Sequence, residues 1–131
     1  MSNKILFVDD EEFLSTLMQM SLRQAGVEAV LAGSYDEALE VLKRDHHAHN
    51  IKALFTDIHI PGNSGWELIE VVRGLRPDMK FMVISADMDS VDRGKAQVLI
   101  GNLLAYFDKG RTDHDMVVRM CKEAVLDDQD N

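Results

Sequence analysis

The chain has a single cysteine and lacks the long apolar runs of membrane spans and secretion signals. Cys121 is the only cysteine among 131 residues, so an intramolecular disulfide is impossible and a reducing compartment is the natural environment. No segment comes close to the roughly 20 consecutive apolar residues that a membrane span requires. The N-terminus also lacks the basic stretch and apolar run of a secretion signal. We therefore expect a cytoplasmic protein that does not insert into membranes.

Basic residues are scarce as well. Lysine and arginine number 14 against 23 aspartates and glutamates, which leaves a net charge of −9. An acidic surface disfavours direct binding to nucleic acid and favours cations or basic partner surfaces, although solubility alone accounts for much of such a charge. Apolar residues are plentiful, at 46%, so a chain of this length can bury the core of one compact domain.

Short apolar runs alternate along the sequence with segments of helical periodicity. The runs, which predict five strands, are residues 4–8, 27–31, 52–56, 80–84 and 104–107. Helical spacing marks residues 14–25, a weaker pattern covers 88–99, and an apolar stripe expected to be core consists of Met116, Val117, Met120, Cys121, Ala124 and Val125. Two further helices are predicted to begin at capping boxes, Ser34 with Glu37 and Ser64 with Glu67.

This alternation predicts an α/β fold with right-handed crossovers, in which helices cover both faces of a doubly wound, five-stranded parallel sheet. The strand runs are apolar at successive positions, as in strands that are buried on both faces. We expect one domain over residues 1–126, followed by an acidic tail over 127–131.

Polar side chains follow four of the five predicted strands. They are Asp9 and Asp10 after the first, Asp57 after the third, Ser85 after the fourth and Lys109 after the fifth. The carboxyl ends of parallel strands lie at one edge of the sheet, where open α/β sheets bind their ligands. We therefore expect these side chains to form one site.

Three carboxylates at one edge repel one another, so the arrangement calls for a shared cation or a protonated carboxyl group. Carboxylate oxygens suit Mg²⁺, whose octahedron water and phosphate commonly complete, and Mn²⁺ is an alternative. Asp9 and Asp10 could instead cap the first helix, since aspartate is a preferred N-cap residue. The other polar residues at the same edge favour the metal site. Glu11 and Glu12 are interpreted more simply, as charges that complement the helix dipole.

Four motifs carry a resemblance to a known family: FVDDE (residues 7–11), LFTDIHIPGNSGWEL (54–68), MVISA (82–86) and YFDKG (106–110). In this order, and each at a strand end, they resemble the receiver domain of two-component response regulators. The chain is similar in size and layout to the single-domain chemotaxis regulators, and the resemblance covers essentially its whole length. It implies the flavodoxin-like receiver fold.

The resemblance also implies a role for each matched residue. Asp57 would be the phosphate acceptor, while Asp9 and Asp10 would bind Mg²⁺ together with Asp57. The backbone carbonyl of His59 would be a further ligand of the metal.

Three more residues receive a role from the same resemblance. Ser85 would bond a phosphoryl oxygen, Lys109 would contact the phosphoryl group, and Tyr106 would be the aromatic residue whose rotamer changes on activation. Gly110 departs from the family pattern, which usually has proline after the lysine. Because a cis bond before a non-proline residue costs about 2.5–4 kcal/mol, we predict a trans peptide bond between Lys109 and Gly110.

The run over residues 98–107 is atypical for the family as well. We therefore expect an unusual output surface, the surface that the fourth helix and the fifth strand commonly form in this family.

The function that the resemblance implies is that of a phosphorylation-activated switch. The chain would accept a phosphoryl group from a sensor histidine kinase or a phosphotransfer protein and would signal through contacts with a downstream protein target. It would catalyse only its own phosphorylation and slow dephosphorylation, so it would not be an enzyme in the usual sense.

Other interpretations stay open at this point. A metal-dependent phosphatase of similar architecture would place a second acid two residues after its nucleophile, where this chain has His59. The chain could also be a receiver module of a longer regulator, or a docking domain that works without phosphorylation. Two features are assigned no chemistry: the histidines at positions 46, 47 and 49 are interpreted as a solvated face, and Trp66 as packing.

Overall fold

The computed structural model describes residues 3–45, 50–85, 94, 103–108 and 114–126. Within these ranges the elements are β1 (Lys4–Val8), α1 (Glu12–Gln24), β2 (Glu28–Ala32), α2 (Tyr35–Asp45), β3 (Ile51–Asp57), α3 (Gly65–Leu75), β4 (Lys80–Ser85), β5 (Leu103–Asp108) and α4 (His114–Leu126). The strands form one parallel sheet in the order β2-β1-β3-β4-β5. The predicted doubly wound α/β fold is therefore confirmed, with strand ends that differ from the prediction by one residue at most.

Several predictions from the sequence fall on residues that are not described. They concern the helix over 88–99 (apart from Gly94), the histidines at 46, 47 and 49, the residues Lys109 and Gly110, and the acidic tail. These stay predictions. Among the helices that the structure does describe, none combines the length and the apolar character needed to cross a membrane.

The core consists of two layers, one on each face of the sheet. Leu6 and Leu54 lie in the layer toward α2 and α3, whereas Phe7 and Phe55 lie in the layer toward α1 and α4 and stack with ring centroids 4.8 Å apart. Successive residues of β1 and β3 thus alternate between the two layers, as side chains do along a strand. Because both layers are apolar, these strands are apolar throughout.

The helices bury narrower faces than the sequence pattern predicted. Val117, Cys121, Ala124 and Val125 of α4 are buried. Met116, predicted as part of this core stripe, is 48% exposed, and that prediction is wrong. It precedes Val117 by one position, and successive helical residues point about 100° apart, which turns Met116 away from the sheet. Trp66 is buried in the core, as its interpretation as packing required.

Both predicted capping boxes mark helix starts. The Ser34 hydroxyl oxygen accepts the Glu37 N–H and the Ser64 hydroxyl oxygen accepts the Glu67 N–H, each at 3.2 Å. In a capping box the glutamate carboxylate accepts the N–H of the capping serine. Here the Glu37 carboxylate accepts the N–H of Gly33 instead, one residue before Ser34. The alternative that an aspartate caps the first helix is wrong, because the N-cap of α1 is Glu11 and it has no side-chain capping bond.

A buried ion pair closes the end of the sheet opposite the carboxyl ends of the strands. Arg76, at the end of α3, lies 3.4 Å from Asp45 and donates to the Ile51 carbonyl oxygen at 2.8 Å. Asp45 in turn accepts the N–H groups of Asn50 and Ile51. Both side chains of the pair are at most 10% exposed. The pair therefore joins α2, β3 and α3 in one hydrogen-bonded group.

We expect Arg76→Ala to lower the free energy of unfolding by about 3–5 kcal/mol, since it leaves a buried carboxylate without its cation. Arg73→Ala, on the exposed side of α3, is the control and should change stability by less than about 0.5 kcal/mol. Urea unfolding followed by circular dichroism measures both. Equal, small effects of the two substitutions would contradict the structural role of the pair.

The first residue of α3 packs directly on the end of β3. The Gly65 N–H donates to the Ile58 carbonyl oxygen at 2.7 Å, and a Cβ atom at Gly65 would collide with the Asp57 carbonyl oxygen. Backbone atoms cannot move aside as the end of a flexible side chain can. Only glycine therefore permits this close approach of helix and strand.

Gly65→Ala should destabilise the protein by about 1–3 kcal/mol through overpacking. Gly74, in the same helix, has open space around the position that a Cβ atom would take: apart from the neighbouring backbone of its own helix, no described atom lies within 4 Å. Gly74→Ala should therefore stabilise the protein by about 0.5–1 kcal/mol through helix propensity. Chemical denaturation distinguishes the two signs. Destabilisation by both substitutions to the same extent would contradict the specific contact of Gly65 with β3.

The single thiol is enclosed by the core. Cys121 is fully buried with its sulfur 3.9 Å from that of Met82, and burial raises the pKa of the Cys121 thiol from 9.0 to about 12. The unfolded chain ionises this thiol near pH 9, whereas the folded protein keeps it neutral. The neutral, buried thiol therefore makes its full contribution to the free energy of unfolding below pH 9, and this contribution is lost as the pH rises from 9 toward 12.

We expect the thiol to react with a disulfide reagent only after denaturation, because the thiolate is the reactive species. The stability difference between wild type and Cys121→Ala should shrink by up to about 1.4 kcal/mol per pH unit above pH 9. Comparing the two proteins separates the contribution of the thiol from every other pH-dependent contribution to stability. Native-state labelling as fast as that of the unfolded chain would contradict the burial.

Candidate functional site

Three carboxylates meet at the carboxyl ends of two neighbouring strands. Asp9 and Asp10 follow β1, Asp57 ends β3, and one oxygen of each lies within 4.8 Å of the others. Asp9 and Asp57 are buried, with 3% and 5% of their surface exposed, whereas Asp10 is exposed. The structure thus brings these three acids together, as the sequence predicted.

Backbone hydrogen bonds hold the two buried carboxylates in place. The Asp9 N–H donates to the Ala32 carbonyl oxygen at 3.1 Å and prolongs the pairing of β1 with β2. Asp9 Oδ1 accepts the Glu11 N–H at 2.9 Å, and Asp57 Oδ1 accepts the His59 N–H at 3.1 Å. In both cases an aspartate bonds the amide two residues later, the turn that aspartate forms readily. These turns orient both carboxylates from the backbone.

The arrangement carries a large electrostatic cost. Two unit charges 4.8 Å apart repel by about 3–4 kcal/mol at an effective dielectric constant of about 20. Oxygen donors in a compact group match the preference of Mg²⁺ and Mn²⁺. The donor set formed by Asp9, Asp10 and Asp57 therefore fits a hard divalent cation, which would offset this repulsion.

An open acidic cleft adjoins Asp9 and Asp10. It has a volume of about 670 Å³ and lies between the start of α1 and the turn after β2, where Asp10, Glu12 and Glu37 line it. A cleft lined by one sign of charge raises the local concentration of counter-ions. Approach from this side therefore favours cations over free anions.

The fourth strand brings Ser85 to the same edge. Asp57 lies opposite Ile84 in the β3–β4 pairing, and the Ile58 N–H donates to the Ile84 carbonyl oxygen. Ser85, the next residue, is fully buried and ends β4. Ser85 therefore lies at the same edge of the sheet as Asp57.

The remaining predicted site residues are described only in part. The His59 N–H bonds Asp57 and its side chain is exposed. Tyr106 lies in β5 with its backbone opposite Val83, while its side chain is outside the described structure. Ser85 pairs with Asp108, so β5 ends one residue before Lys109, which is not described.

Sequence reasoning missed two hydroxyl groups near the acids. Thr56 is fully buried in β3 and donates to the Asp57 carbonyl oxygen at 2.9 Å. Ser15 is buried in α1 and donates to the Asp9 carbonyl oxygen at 3.3 Å. The available signal was a polar residue within an apolar run at Thr56 and on the apolar side of a helix at Ser15.

Comparison with known proteins agrees with this architecture. The response regulator receiver domain matches residues 5–120. Chemotaxis protein CheY1 of Helicobacter pylori is 34% identical over 97 residues, which are 73% of this chain and 73% of that protein. The autoinducer 1 sensor kinase/phosphatase LuxN of Vibrio campbellii is 29% identical over 86 residues, 66% of this chain but only 10% of that protein.

Solved structures show the same fold. A CheY-like response regulator receiver domain protein from Methanospirillum hungatei superposes with a TM-score of 0.83 at 22% identity, over 99% of this chain and 98% of the other. At such a low sequence identity, the superposition shows only that the two chains share a fold. The family match extends over most of the sequence and includes Asp9, which follows β1, as well as Asp57 and Ser85, which end β3 and β4. The chain belongs to the response regulator receiver domain family of two-component signalling.

Proposed function

We propose that this receiver domain is a phosphorylation-activated switch whose phosphate acceptor is Asp57. The observation that carries the proposal is the position of Asp57: it is buried at the end of β3, it is oriented by the His59 N–H, and it lies within 4.8 Å of two further carboxylates. Receiver domains exchange phosphoryl groups with histidine kinases or phosphotransfer proteins. A phosphohistidine of such a protein is the proposed donor here.

The proposed reaction is a displacement at phosphorus. An oxygen of the Asp57 carboxylate attacks the phosphorus atom as the bond between phosphorus and the donor imidazole nitrogen breaks. The bonding electron pair stays on that nitrogen, and the ring, which already carries a proton on its other nitrogen, leaves as neutral imidazole. The product is an acyl phosphate on Asp57. Transfer of this kind depends mainly on alignment and on neutralising the phosphoryl oxygens, so the fixed orientation of Asp57 is the contribution that the chain itself makes.

The negative charge at the site has to be balanced before a phosphoryl group can approach. Asp9, Asp10 and Asp57, with the backbone carbonyl of His59, are the proposed ligands of Mg²⁺. When bound, the cation supplies charge neutralisation and a template for the phosphoryl oxygens. Lys109 is proposed to contribute a second positive charge and Ser85 a hydrogen bond to a phosphoryl oxygen.

Signalling is proposed to follow from the new charge on Asp57. The phosphoryl group adds acceptor oxygens that attract the Ser85 hydroxyl and the Lys109 ammonium group. Ser85 ends β4, which pairs with β5, where Tyr106 lies opposite Val83. A shift of Ser85 is therefore expected to reach Tyr106 through adjacent strands and to change the affinity for a downstream protein as a shift between two populations.

The family match gives no support to a general phosphatase. The chain has His59 where an aspartate-nucleophile phosphatase would have its second acid, and its own dephosphorylation is the only hydrolysis that we propose. The phosphoryl site would be the same in a single-domain regulator and in a receiver within a longer protein. Cytoplasmic location stays a prediction from the sequence.

Asp57→Asn tests the acceptor directly. With Mg²⁺ and acetyl phosphate, wild type should gain the mass of one phosphoryl group in intact-protein mass spectrometry, whereas Asp57→Asn should gain none. In metal-free buffer the variant should also be about 1–3 kcal/mol more stable, because one of three mutually repelling charges is removed. Both results are expected together.

Asp78→Asn is the matched control, since it removes an exposed carboxylate outside the site and should be phosphorylated like wild type. Full phosphorylation of Asp57→Asn at another carboxylate would overturn the assignment. Sustained turnover of a generic phosphate ester by the wild type would favour the phosphatase instead.

A further inference from the structure

Ser15 is a polar residue on the buried side of a helix. It shares that side of α1 with Met18 and Leu22, and only 5% of its surface is exposed. An apolar residue would satisfy the packing requirement of this position at least as well. Packing alone therefore does not explain a hydroxyl group at this position, whereas its hydrogen bond can.

The acceptor of that bond is unusual for a helical serine. A serine within a helix commonly bonds the carbonyl oxygen three or four residues earlier in its own helix. Ser15 donates instead to the carbonyl oxygen of Asp9, six residues earlier and outside α1, at 3.3 Å. Its own N–H remains in the first turn of the helix, bonded to the Glu11 carbonyl oxygen. The side chain thus joins the helix to the turn that carries the two acids.

We propose that Ser15 is a positioning residue for the divalent cation, acting through the peptide group that joins Asp9 to Asp10. The proposal rests on the cation site of the proposed function. The Asp9 carbonyl oxygen and the Asp10 N–H belong to one planar peptide group, so a bond that fixes the first also fixes the second. The orientation of this plane sets the direction in which the Asp10 side chain leaves the backbone.

Two further hydrogen bonds of the turn hold the amide and the carboxylate of Asp9. The Asp9 N–H is held by Ala32, and the Asp9 carboxylate is held by the Glu11 N–H. Both bonds act on Asp9, whereas Asp10 is exposed and has to be directed toward Asp57 from the backbone. The Ser15 bond is longer than the roughly 2.7–2.8 Å that is usual for hydroxyl donors. We therefore expect this bond to contribute little to the free energy of unfolding.

Ser15→Ala should weaken cation binding about tenfold, the lower end of the loss seen when a residue that orients metal ligands is removed. Dissociation constants for Mg²⁺ by calorimetry and for Mn²⁺ by electron paramagnetic resonance measure this without any phosphorylation. Ser15→Thr keeps the hydroxyl group and should restore binding to within about threefold of wild type. Thr16→Ala removes an exposed hydroxyl group one residue further along α1 and should leave binding unchanged.

A second readout separates positioning from a general loss of structure. In Ser15→Ala without metal, the Asp10 amide resonance should shift while resonances of the α3 core do not, and the free energy of unfolding should fall by only about 1 kcal/mol. A Ser15→Ala dissociation constant within twofold of wild type, for a variant that is folded, would refute the positioning role and leave the cation site intact. Wild type that binds neither cation at millimolar concentration would refute the cation site itself and the positioning role with it.

Discussion

Three carboxylates at one edge of the sheet repel one another, and the remainder of the fold has to hold them together against this repulsion. Asp9, Asp10 and Asp57 stay within 4.8 Å of one another because two adjacent parallel strands end side by side, and turn hydrogen bonds fix the buried pair. Without the buried apolar sheet behind them, the chain would relieve the repulsion by moving apart. The stability of the core is thus what keeps the charges available for a cation and a phosphoryl group.

The two ends of the sheet use charge in opposite ways. At the end near α2 and α3, Arg76 and Asp45 neutralise each other and bond the adjoining backbone. At the carboxyl end, the fold gathers three like charges within a few ångströms. One end therefore gains its stability from charges of opposite sign within the chain, whereas the other concentrates negative charge that a divalent cation would balance. The charge that a cation would balance therefore lies at the edge where Asp57 ends β3.

The sequence was most informative where one residue type had one structural use. Apolar runs predicted each strand to within a residue, since strands that are buried on both faces allow little else, and the capping serines marked their helices. Met116 was misjudged because periodicity indicates the centre of an apolar face but not its width. Thr56 and Ser15 were missed for another reason: whether a buried hydroxyl group has an acceptor depends on residues that only the folded backbone brings near it.

The enclosure of the only cysteine has a practical consequence for following the switch. Because Cys121 is fully buried against Met82, a cysteine introduced at an exposed position such as Met20 would be the one thiol open to a spin label or fluorophore. Site-specific spectroscopic probes can therefore be attached in the native background, without first replacing a core residue. With two introduced cysteines, the distance between the two probes would report directly on rearrangement of the domain.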